Sequence, residues 1–291
     1  LGDVYKRQEE GLRALIPQID AELGTNHLEA YNARMTLIQT LRRLTSERRD
    51  EPPVGTPYEE EVELLRETVR LQQERFGEQD AFPLLSAQMK LGQVLLEQHK
   101  YAACEAIVQP LLPRVRERFG EKHWMFCEGT MALAYVKYAQ GAHAEAASLY
   151  WEAVQIWRTI HPPEHPVSLS VTRDALPYFD AADRAEDGLR EARGLWAKLV
   201  DILGPENIIT LEARAWIARF CSKAGLLDEA EVHFAALSAY DDVFRVEAVG
   251  AYVMMFHAGY LAQRGRFEEA ETELLRLSER QDGVTSGVHM A

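Results

Sequence analysis

Cysteine is scarce: Cys104, Cys127 and Cys221 are the three in a chain of 291 residues. They are odd in number and far apart, which excludes a disulfide framework and a C-x-x-C metal site. Reduced, buried thiols in a cytoplasm are the expectation. Long hydrophobic runs are missing as well. No stretch approaches the roughly 18 apolar residues of a membrane-spanning helix, so no membrane contact is expected. Basic residues are outnumbered, with 32 Lys and Arg against 46 Asp and Glu, for a formal net charge of −14. A chain of that sign repels phosphate backbones, which argues against nucleic acid as the main partner.

Signatures of the common chemistries are absent too. There is no G-x-x-x-x-G-K-[ST], no G-x-G-x-x-G after a strand, no G-x-S-x-G elbow, and no H-R-D or D-F-G. "HPPEH" at His161–His165 formally fits a zinc-protease pattern. That pattern works only on a helix, where both His share a face and the Glu serves as base. Pro162, Pro163 and Pro166 prevent a regular helix there, so the segment reads as a linker. No catalytic residue, metal ligand or cofactor is therefore assigned.

What the chain does have is internal repetition. "LGQVLLEQHKYAACEAIVQPLL", "LAYVKYAQGAHAEAASLYWEAV", "IARFCSKAGLLDEAEVHFAAL" and "HAGYLAQRGRFEEAETELLRL" share one pattern. Each is an apolar helical stretch, a turn, and then a small residue five places on. The small residues Cys104, Ala146, Gly188, Ala230 and Ala270 are spaced 42, 42, 42 and 40 apart. Gly77, Gly120, Pro162 and Gly204 form a second marker, spaced 43, 42 and 42. Each unit is expected to be a helix pair: the small residue permits close helix approach, and Gly or Pro ends the second helix. A lone pair cannot bury its apolar faces, so the pairs must stack.

This pattern resembles the tetratricopeptide repeat, in the longer form found in kinesin light chain and many bacterial signalling proteins. "LGPENIITL" and "IHPPEHPVSL" resemble its linker, and "GLLDEAE" and "GRFEEAE" its turn into the second helix. The resemblance implies an all-α, right-handed superhelical solenoid of antiparallel helix pairs over 9–281, about six and a half pairs. The unit at Ala175–Gly188 departs from the pattern, with Asp183 at the turn and Pro177 inside the first helix. A kink is expected there.

The ends depart as well. Leu1–Gln8, "LGDVYKRQ", back-translates to CTC GGA GAT GTG TAT AAG AGA CAG, which resembles a transposase adaptor used in sequencing libraries. Residues 1–8 are therefore expected to be non-native, with a native fragment starting near Glu9 as a second helix whose partner is missing. The charged, Pro-rich stretch about 46–57 reads as an insertion in a turn. Residues 282–291 lack periodicity and read as a disordered tail. Acidic runs such as Glu59–Glu61 read as solvated helix starts, and the five Trp as packing residues.

The resemblance implies that the first helices line a binding groove. Ten residues before the turn positions lie Met35, Met89, Met131 and Met255. Methionine is over-used at adaptable binding surfaces. Gln39, Gln93 and Tyr135 lie six residues before the turn, as does Arg219, and Arg42 and Tyr138 lie three before it. Arg42, Arg43, Arg173 and Arg219 are expected as positive anchors. Such a lining suits a protein or peptide partner, extended or helical, with apolar and acidic groups. The expected function is thus a scaffold or recognition array without catalysis. The alternative is the regulatory region of a larger signalling enzyme, such as a bacterial serine/threonine protein kinase, or of a transcriptional regulator.

Overall fold

The computed structural model describes residues 2–47, 57–77, 79–240 and 249–289. Among the described residues there are thirteen helices and no strand. The chain divides into two compact units, Leu1–Ile156 and Trp157–Ala291. The first holds α1 (Gly2–Leu23), α2 (Leu28–Glu47), α3 (Pro57–Phe76), α4 (Phe82–Glu97), α5 (Tyr101–Phe119) and α6 (Trp124–Ala139). The division falls within α7 (His143–Ile160). The second unit continues with α8 (Pro166–Ala181), α9 (Ala185–Leu203), α10 (Ile208–Lys223), α11 (Leu227–Ser238), α12 (Val249–Gln263) and α13 (Phe267–His289).

The repeat markers acquire specific geometry. The turn inside each of the five pairs from α4 to α13 carries one left-handed residue: His99, Gly141, Asp183, Gly225 or Gly265, with φ between 57° and 80°. Glycine suits that conformation, and His99 and Asp183 tolerate it at a steric cost. The linkers end in a helix cap. His123 and His165 accept a hydrogen bond at Nδ1 from the backbone N–H two residues on, at 3.4 and 3.2 Å. Asn207 does the same through its side-chain oxygen at 3.0 Å. A side-chain acceptor there satisfies one of the free N–H groups of the first helical turn, and so marks where α6, α8 and α10 begin.

Cys104, Ala146, Gly188, Ala230 and Ala270 are all buried. At Gly188 the reason is direct. A Cβ added there would lie 2.3 Å from the Phe220 ring of α10. The small residue thus makes room for a side chain of the following helix, beyond letting two backbones approach. In the first unit Leu65, Leu85, Val94, Val108, Leu111 and Met125 form the centre of the core. In the second, Trp216, Phe220 and Phe256 pack as a ring cluster, with Phe234 against Tyr260 nearby.

Two expectations change. Glu61 is buried at 2% exposure in α3, so the run Glu59–Glu61 is not wholly solvated; helical periodicity turns every third or fourth residue inward. Trp124 is exposed rather than packed, because it stands at the first position of α6. Pro177 lies inside α8, which runs on to Ala181, and α13 extends to His289. Residues 48–56, most of the expected insertion, and 290–291 lie outside the described residues.

Candidate functional site

The first helices of successive pairs in unit 1 enclose a hollow of about 410 Å³. Its walls come from α2 and α4, with Trp124 from the start of α6. Tyr31, Met35, Phe82 and Trp124 supply apolar and aromatic surface. Asn32, Thr36, Gln39, Ser86 and Gln93 supply neutral hydrogen-bonding groups. Helical spacing explains the set. Asn32, Met35, Thr36 and Gln39 lie at i, i+3, i+4 and i+7 on α2, hence on one face. Ser86, Met89, Lys90 and Gln93 repeat that spacing on α4.

Lys90 is the single charged residue of the lining. Its Nζ donates to Gln93 Oε1 at 3.3 Å. No ion pair joins it to a carboxylate among the described residues. Burial lowers the Lys90 ammonium from its usual pKa, with Arg42 adding repulsion, while Glu128, Glu97 and Glu61 act in the opposite sense. This is a partly desolvated cation whose charge is only diffusely offset, in a molecule of net charge −14.

The sequence-derived residues divide into groups. Met35, Met89, Gln39 and Gln93 line the hollow together. Met89 is the most deeply set of these, 1% exposed and packed into the core as well as against the hollow. Its sulfur and methyl fill the space at Gly129, where an added Cβ would lie 2.8 Å from Met89 Cε. Met131 is half-buried on α6. Tyr135 and Tyr138 are exposed near the end of α6, with Tyr135 against Tyr101 and Tyr138 against His143. Met255 is exposed on α12 in the other unit.

The arginines expected as anchors have partners within the chain. Arg42 pairs with Glu97 of α4 and lies 3.4 Å from Glu61 of α3. Arg219 of α10 donates to both oxygens of Asp180 on α8, at 2.9 and 3.2 Å, and lies over Phe256. Arg173 donates to the adjacent Asp174 at 3.0 Å. Arg43 donates to Tyr5 at 3.4 Å. Arg42 and Arg219 therefore tie successive helices together, and their charge is already answered inside the chain. Proximity of an acid roughly 40 or 55 residues away is set by the repeat stacking and is invisible in local sequence. Lys90, Phe82 and Trp124 were missed. A signal existed for each: Lys90 interrupts the apolar "SAQMKLGQVLL", and Phe82 and Trp124 open two helices 42 residues apart.

The "HPPEH" segment lies between α7 and α8. Trp157, His161 and His165 form a ring stack there, with centroid distances of 5.5 and 4.1 Å. Among the described residues no group of three metal-ligating side chains occurs, and no helix is long and apolar enough to cross a membrane.

A tetratricopeptide-repeat family model matches residues 130–167, which run from α6 into the start of α8. The fold is that of the tetratricopeptide repeat. Solved structures extend the likeness along most of the chain. A Podosopora anserina protein described as a kinesin light chain with nearly identical TPR-like repeats superposes with a TM-score of 0.61 at 18% identity. That match covers 73% of this chain and 96% of the other. BtubC (BKLC) from P. vanneervenii gives a TM-score of 0.56 at 14% identity, covering 79% and 93%. No curated protein matches the sequence significantly. At these identities the likeness defines the tetratricopeptide-repeat fold of helix pairs, and the repeat's common use is as a protein-interaction scaffold.

Proposed function

We propose that this chain is a protein-interaction scaffold whose hollow between α2, α4 and α6 docks a peptide or helical segment carrying an acidic group beside an apolar or aromatic one. The observation that carries the reading is Lys90, a partly buried cation without an ion-pair partner among the described residues, set between aromatic edges and amide side chains. An incoming carboxylate would offset the desolvation already imposed on the ammonium, which favours a charge-assisted hydrogen bond there. Phe82 and Trp124 offer exposed ring surface at the rim, the kind of residue that dominates binding energy at interfaces. Met35 lines the wall with an adaptable side chain. Tyr135 and Tyr138 continue the aromatic surface along α6.

A displayed peptide library panned against the immobilised chain tests this. Wild type should enrich sequences with Asp or Glu near an apolar residue. Lys90→Glu should reverse the charge preference, and Trp124→Ala should weaken capture about tenfold or more, both with helicity by circular dichroism unchanged. Enrichment indifferent to both substitutions would place binding elsewhere.

A further inference from the structure

The hollow between α2, α4 and α6 runs into a group of charges. One turn beyond Gln39 on α2 stands Arg42, and one turn beyond Gln93 on α4 stands Glu97. The two side chains pair with each other. A third helix completes the group. Glu61 of α3 is 2% exposed and lies 3.4 Å from Arg42. Its Oε1 accepts no hydrogen bond among the described residues. Lys90, inside the hollow, belongs to the same group, because it and Glu61 attract each other. Glu128 of α6 joins through Gln93, whose Nε2 donates to Glu128 while its Oε1 accepts from Lys90.

The helices packed on α3 thus present Arg42 from α2 and Glu97 and Lys90 from α4 to the Glu61 carboxyl. On α3 itself Glu60 pairs with Arg13 of α1, and Glu63 is exposed. Arg42 and Lys90 are balanced by Glu97 and Glu128. The group is therefore neutral while Glu61 holds a proton and negative when it does not. Burial favours the proton and lifts the carboxyl to about 7, with Arg42 and Lys90 opposing and Glu97 adding to the shift. A partner carboxylate at Lys90 brings one more negative charge. With Glu61 protonated it meets a neutral group; with Glu61 ionised it meets a negative one, in surroundings partly shielded from water. The coupling is reciprocal: the factor by which ionised Glu61 weakens the partner is the factor by which the bound partner favours the proton.

We propose that Glu61 gates the hollow: an acidic partner group docks at Lys90 together with uptake of a proton at Glu61, so that docking is tighter in mildly acidic conditions than in alkaline ones. The proposal rests on the reading of the hollow as the docking site. His123, which caps α6 beside Trp124, does not supply this switch. Burial lowers its pKa from the usual 6.5, and its Nδ1 accepts the Met125 N–H, so it is predominantly neutral from pH 6.5 upward.

The probe is the most enriched peptide without His or Cys from the library panned at pH 6.5, synthesised with capped ends and a fluorescent label. Anisotropy should show binding to wild type about threefold to tenfold weaker at pH 8.5 than at pH 6.5. Calorimetry at pH 7.5 in phosphate and in Tris, buffers of different ionisation enthalpy, should show uptake of a fraction of a proton by the wild-type chain. Glu61→Gln mimics the protonated side chain. It should bind at every pH as wild type does at pH 6.5, and take up no proton. Binding that requires Lys90 yet is equal at pH 6.5 and 8.5, without proton uptake, overturns the proposal and leaves the docking site standing. So does a pH dependence that Glu61→Gln retains. A library that enriches nothing, or binding indifferent to Lys90→Gln, overturns the docking site and the proposal with it.

Discussion

Burial lifts the Glu61 carboxyl to about 7, with Glu97 adding to the shift and Arg42 opposing it. The ordinary value is 4.5, so between pH 4.5 and about 7 the folded chain holds a proton there that the unfolded chain has released. The contribution is present below pH 4.5 and lost as pH rises through about 7. Glu61→Gln should therefore stabilise the protein above pH 7, on the order of 2 kcal/mol, and flatten the pH dependence across that window. Urea denaturation of both proteins at pH 4.5 and 8 measures the difference. Equal gains at both pH values would mean that protonation of Glu61 is not what matters. Glu61 was unreadable as a buried residue in sequence, because "YEEEVELL" offers several acids and only packing against α2 selects the inward one.

Helix packing turns on single atoms at the glycines. Gly188→Ala would drive a Cβ against the Phe220 ring, and a cost of about 1–3 kcal/mol is expected. The pairing of Gly188→Ala with Phe220→Leu should recover part of it. Gly194 in the same helix is the contrast. It borders a hollow of about 180 Å³ beside the Arg158–Glu191 pair, and an added Cβ there meets nothing within 4 Å. Gly194→Ala should stabilise α9 by up to about 1 kcal/mol through helix propensity alone. Thermal melts of the two variants should move in opposite directions, and a shared direction would contradict the packing at Gly188. Both residues look alike in sequence, but Gly188 falls on a repeat marker and Gly194 does not.

At the scale of the molecule, repeats that contact mainly their neighbours should lose stability locally. Leu111→Ala removes a side chain 1% exposed in the core of α4, α5 and α6, at an expected cost of about 2–5 kcal/mol. Hydrogen exchange in that variant should accelerate across α4–α6 and remain slow in α10–α12. Uniform acceleration along the chain would show a single cooperative unit instead. Ion pairs between successive repeats within the second unit, such as Arg219–Asp180 and Arg264–Glu231, bridge residues about 33–39 positions apart and belong to this scale.

Sequence alone determined the helix-pair repeat, its period and its turn positions, because these depend on local chemistry: small residues, left-handed turns, capping side chains and the 3.6-residue apolar pattern. The grouping of Met35, Gln39 and Gln93 was legible for the same reason, since equal register in equal helices places them side by side. Tertiary structure decided the rest. It buried Met89 against Gly129, closed Arg42 and Arg219 onto carboxylates from other repeats, and left Lys90 without an ion pair among the described residues. Burial and charge pairing are properties of neighbours brought together by stacking, and a periodic sequence repeats the register without stating which neighbour fills it.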